Sequence, residues 1–169
     1  MSAKITIAQA LRRIKKLKGE LAEHQSRAAS CSSWVQDKPT TYSFNAEVEA
    51  IRNCQRELLN LESRVAVANA TNNVTVNNVQ MNLSELIRQL QEIKGEIAWL
   101  KSLSLRTGSE KSREVDFDEA TGRNVYRTVE VVYVAAMSEQ ERNEKVKYLQ
   151  DRFEDWNNSL ESANHQVLV

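Results

Sequence analysis

The chain has 169 residues, which is enough for one sizeable core and short for two separate ones. A 41% hydrophobic share, 27% charge, four Gly and one Pro exclude a disordered or fibrous chain and point to a helix-rich one. Twenty-three basic residues cancel 23 acidic ones, so no general field draws nucleic acid or acidic membranes.

Residues 1–10 are amphipathic and hold no continuous apolar run, so neither a secretory signal nor a spanning helix is expected there. Cys31 and Cys54 are too few for a disulfide framework, and both are expected as thiols in a cytoplasmic chain. Thr6 followed by Gln9 forms a capping box, and the first helix then sets Ile7, Ala10, Ile14, Leu17, Leu21 and Ala28 along one side, ending near Ala29. Residues 30–42, Ser-rich and carrying the lone Pro39, read as a loop that Trp34 is expected to pin to the body. From Ser43 a second stripe runs through Phe44, Ile51, Leu58 and Val65, with Cys54, Leu61 and Ala68 between. The Asn-rich stretch 69–73 stops it, because Asn tolerates left-handed backbone.

Residues 74–81 read as a small hairpin around Asn77-Asn78, a two-residue turn that wants positive φ. Asn82 caps the third helix with Glu85 three residues on, and Leu83, Leu86, Leu90, Ile93, Ile97 and Leu100 follow at heptad spacing. Gly95 inside it costs about 1 kcal/mol relative to Ala, which suggests a close helix crossing. The helix fades after Leu105. Residues 113–135 then read as a larger hairpin with strands at 113–118 and 124–135, rich in β-branched and aromatic residues. Its return strand puts Val125, Arg127, Val129, Val131 and Tyr133 on one face and Tyr126, Thr128, Glu130, Val132 and Val134 on the other. A two-stranded ribbon with two partly apolar faces is marginal alone and is expected to seek helices or another subunit.

Ser138 with Glu141 caps the last helix, whose stripe is Val146, Leu149, Phe153, Trp156, Leu160 and Ala163, and residues 164–169 are expected to fray. Helices of about 24 residues are roughly 36 Å long and pack most readily side by side. The fold expected is therefore mainly α: one helical domain over 1–169, an elongated four-helix, coiled-coil-like bundle with two inserted β-hairpins. Arg12, Arg13, Lys15, Lys16 and Lys18 crowd the first helix, and they read as a solvated or salt-bridged face rather than a nucleic-acid grip.

Chemistry-bearing constellations are scarce. Asp116, Asp118 and Glu119 ahead of Gly122 lack the closing bidentate carboxylate of a calcium loop, and Gly122 reads instead as a left-handed turn residue. His24 and His165 have no ligand at metal spacing, no Ser or Cys is poised by a His, and no glycine-rich phosphate loop is present. No enzyme, metal site, small-molecule substrate or cofactor is expected. The expectation is a self-associating interaction protein, a homo-oligomer whose contacts come from Leu83, Leu90, Ile97, Phe153 and Trp156 on the helices and Val129, Val131 and Tyr133 on the hairpin. Membrane insertion of the apolar segment 129–136, as part of a closed barrel, is one alternative, and weak nucleic-acid binding through Arg12, Arg13, Lys15 and Lys16 of the first helix is another.

Several segments resemble one family. The opening Ile7-Ala8-Gln9-Ala10-Leu11, the loop Val35-Gln36-Asp37-Lys38-Pro39, the run from Leu61 to Val65 into Asn69-Ala70-Thr71-Asn72, and Leu83-Ser84-Glu85-Leu86-Ile87 are similar to small bacterial proteins described as septicolysin-like. The segment 113–135 is longer than that family's β segment. What the resemblance implies is a helical fold with self-association, and a name borrowed from a pore-forming toxin; it supplies no catalytic residues.

Overall fold

The computed structural model describes residues 4–169, so Met1, Ser2 and Ala3 of the opening stretch lie outside the described residues. The elements in order are α1 (Ile7–Ser30), α2 (Phe44–Thr71), β1 (Asn73–Val76), β2 (Val79–Asn82), α3 (Leu83–Ser102), β3 (Gly108–Asp118), β4 (Arg123–Tyr133) and α4 (Glu139–Gln166). The expected mainly-α four-helix bundle is corrected to an α+β chain, with about 60% of the residues in helices and two antiparallel two-stranded sheets beside them. The physical reason is that a heptad stripe specifies one apolar face and not what covers it. Contacts gather the described residues into two compact units: those up to Gln91 with Glu154–Val169, and Glu92–Phe153.

In the first unit α1 begins on its capping box. The Thr6 hydroxyl accepts from the Gln9 amide at 3.2 Å while the Gln9 side chain accepts from the Thr6 amide at 3.0 Å. Ile7, Ala10, Ile14 and Leu17 of α1 bury against Leu58, Leu61, Val65 and Ala68 of α2, and Leu83 completes the cluster. Two residues of the basic face of α1 pair with α2: Arg13 meets Glu57 at 2.9 Å and Lys18 meets Glu62 at 2.8 Å. These exposed pairs add little stability. The small hairpin forms as read, with Asn77 and Asn78 at φ 51° and 64° and with Val76 and Met81 buried.

Two local expectations fail. Trp34 is 61% exposed and does not pin the loop. The segment after α4 does not fray: Val167 and Val169 exchange backbone hydrogen bonds with Ile5 and Ile7, and the Arg64 guanidinium donates to the Val169 carbonyl. The apolar residues Val167 and Val169 pack on the core cluster there, which is what the polar run before them concealed.

In the second unit Ile93 and Leu100 of α3 and Val146 and Leu149 of α4 are buried, and the Lys94 ammonium lies 5.0 Å from the centre of the Phe153 ring. A Cβ placed on Gly95 would meet nothing within 4 Å, so the close crossing inferred from the sequence is absent at that position. Gly95→Ala is accordingly expected to raise stability by about 0.5–1 kcal/mol through helix propensity alone, read as a higher denaturant midpoint with an unchanged slope.

Candidate functional site

The most distinctive surface is the ribbon of β3 and β4, paired in register from Gly108 opposite Tyr133 to Asp118 opposite Arg123. Eleven residues per strand at about 3.4 Å rise make a ribbon roughly 37 Å long. β3 starts five residues earlier than the sequence implies, because the strong β formers Val129 to Val132 draw the polar Ser109, Glu110, Lys111 and Ser112 into pairing.

The ribbon tip is a built turn. Gly122 takes φ 65° and its amide donates to the Asp118 carbonyl at 2.8 Å. The Asp118 carboxylate accepts from the Thr121 hydroxyl at 2.7 Å and from the Ala120 amide at 3.0 Å. Those donors favour the charged form and hold the Asp118 carboxyl below its ordinary value, the Thr121 hydroxyl contributing most. A depressed folded value means the turn's extra stability is complete above the ordinary Asp value of 3.8 and is lost as pH falls through the folded one. An NMR titration should show the Ala120 amide and the Asp118 carboxyl moving together, with a midpoint lower than in a short unfolded peptide.

Cross-strand pairing puts Val115 beside Tyr126 and Phe117 beside Asn124 on one face, with Lys111 beside Glu130 and Arg113 beside Thr128 nearer the base. Val115, Phe117 and Tyr126 are 59%, 61% and 71% exposed, a small aromatic patch near the tip. On the opposite face Val129, Val131 and Tyr133 are half-buried, and the Arg106 guanidinium lies 5.4 Å from the Tyr133 ring centre. Val115 and Phe117 were not singled out from the sequence, although their alternation with Glu114 and Asp116 carries the signal.

The remaining expected contact residues divide by burial. Leu83 is wholly buried in the first unit's core, and Leu90 and Trp156 are also buried, so all three are engaged within the chain. Ile97 and Phe153 are half-buried in the second unit. An open groove of about 520 Å³ runs along α3 and α4 in that unit, where Trp99 and Tyr148 are exposed beside Glu96, Glu144, Lys145 and Arg152. Glu141 at its end has a lowered carboxyl value, first because the Ser138 amide and then because its hydroxyl donates to it. That carboxylate is the helix cap of α4, so its charge has a structural task.

Elsewhere Cys31 and His24 are engaged locally. Cys31, expected in a loop, is buried at the end of α1 with its thiol on the Ala28 carbonyl, and His24 meets Glu47 at 2.6 Å. Among the described residues no three His, Cys, Asp or Glu side chains gather as a metal site would require.

No protein-family model matches the chain, and no curated protein matches it. The structure is similar to the crystal structure of a functionally unknown conserved protein from Corynebacterium diphtheriae, with a TM-score of 0.76, covering 99% of each chain at 12% sequence identity. At that identity the likeness shows the fold alone: a solved protein arranges its chain in the same way from a very different sequence.

Proposed function

We propose that this chain is a non-enzymatic interaction protein that self-associates, with the β3–β4 ribbon as its contact surface. The observation that supports the reading most is that, among the described residues, the ribbon's strands pair only with each other and leave Val115, Phe117, Tyr126 and Val132 in solvent. Such a ribbon is marginal in water and gains stability when an edge or face is covered. The reading includes a cytoplasmic location, consistent with free thiols at Cys31 and Cys54. Light scattering across a micromolar dilution series tests it. A mass above that of one chain, falling on dilution, is expected; one chain's mass at every concentration overturns the reading.

Membrane action is a second reading, favoured by Val132 and Val134 at 68% and 89% exposure at the ribbon base. No helix among the described residues is long and apolar enough to cross a membrane, so insertion would rest on strands. Arg127 and Glu130, within β4, weigh against a lipid-facing strand. Dye release from anionic liposomes on adding the chain is its expected result, and intact vesicles would dismiss it. Nucleic-acid binding through α1 has less support, since Arg13 and Lys18 are paired with glutamates of α2.

A further inference from the structure

The two edges of the ribbon are chemically unlike. β3 carries Glu110, Lys111, Arg113, Glu114, Asp116 and Asp118, whereas β4, of equal length, carries only Arg123, Arg127 and Glu130. Charges along an edge oppose the docking of another strand, so β3 is guarded and β4 is open. Among the described residues no backbone hydrogen bond from another element reaches the outer edge of β4.

We infer that the outer edge of β4 pairs antiparallel with the β4 edge of a second copy, about a twofold axis at Val129. The inference rests on the self-association proposed above and names its edge and register. A twofold perpendicular to the ribbon keeps each face on its own side, so residues that meet must share a face. Under that constraint β3 cannot pair with itself. Centring on Arg113 sets Arg113 against its own copy and Glu110 against Asp116, and centring on Ser112 sets Glu110 against Glu114 and Lys111 against Arg113. Every other centre from Glu110 to Asp116 also places like charges directly opposite, which is destabilising.

β4 behaves differently. Centred on Val129, it sets Tyr126 against Val132, Val125 against Tyr133, Arg127 against Val131 and Thr128 against Glu130, with no like charges directly opposite. Aromatic and β-branched pairs of this kind are the ones that stabilise a sheet. Centring on Thr128 also avoids such clashes but sets Tyr126 against Glu130 and Asn124 against Val132, and so gives up two apolar pairs. Tyr126 and Val132, 71% and 68% exposed, become neighbours in the Val129 register. The product is a four-stranded sheet whose outer edges are the two charged β3 strands, which closes the assembly at two copies.

Thr128 provides the test because it is exposed and lies opposite Arg113 within its own chain. Thr128→Glu adds an attractive pair inside each ribbon and two repulsions against Glu130 of the second copy. Thr128→Lys does the reverse. Sedimentation equilibrium should show the dimer weakened about tenfold by Thr128→Glu and tightened by a similar factor by Thr128→Lys, while Ser112→Lys on β3 changes nothing. A wild-type chain that stays monomeric overturns this inference together with the self-association reading. A wild-type dimer that ignores both Thr128 changes overturns the β4 edge and leaves self-association standing. A dimer weakened by Thr128→Lys overturns the Val129 register in favour of one that brings the two Thr128 positions together.

Discussion

Leu83→Ala is expected to lower the free energy of unfolding by about 2–5 kcal/mol, among the largest effects available in this chain. Leu83 is fully buried, its amide donates to the Asn72 carbonyl at 3.1 Å, and its side chain sits in the cluster formed by α1 and α2. Around it stand Ile7, Ala10, Val65 and Ala68, on two helices held side by side by the rest of that stripe. Such walls relax only in part, so removing three carbons leaves a void on top of the lost transfer energy. Thermal unfolding of the variant should move down by roughly 4–20 °C for a chain of this size. Leu59→Ala, at a position 69% exposed on α2, should shift stability by less than about 0.5 kcal/mol.

Shortening the ribbon by four rows is the second large change, and it should act on association while leaving the helices alone. Removing residues 113–116 and 125–128 together deletes four directly paired rows, from Arg113 opposite Thr128 to Asp116 opposite Val125. An even number of rows preserves which face each remaining residue occupies, and the turn from Phe117 to Asn124 is retained. The deletion removes Val115, Tyr126 and four of the eleven residues of the charge-poor edge, so Val131, Val132 and Tyr133 of each copy lose the partners they have in the Val129 register. Association is expected to fall at least about a hundredfold, while the cooperative melt of the first unit's core, which shares no residue with the deleted rows, stays within about 1 kcal/mol.

Local chemistry was legible in the sequence wherever one residue fixes one backbone geometry. Thr6 with Gln9, Asn82 ahead of Glu85, Ser138 with Glu141, and the Asn77-Asn78 turn all occur as read, because each supplies a specific hydrogen bond or a positive φ. What covers an apolar stripe was not legible. Leu83 and Leu90 look alike in a heptad register to residues that pair two chains, yet both are buried within this one. The fold class failed for the same reason: periodicity located the helices without specifying a bundle. The early start of β3 at Gly108 is set by the pairing preference of Val129 to Val132, which polar residues such as Glu110 and Lys111 do not announce. Of the candidate site, the two-faced ribbon was visible from alternation. The contrast between its edges emerged only when the register placed β3 against β4.

Comparing the solution mass of the full chain with that of the four-row deletion at equal micromolar concentrations tests the ribbon's role most directly. The expected result is a concentration-dependent dimer for the full chain and one chain's mass for the shortened ribbon, both with helical circular dichroism intact. Equal masses for the two would contradict the claim that the ribbon is where copies of this protein meet.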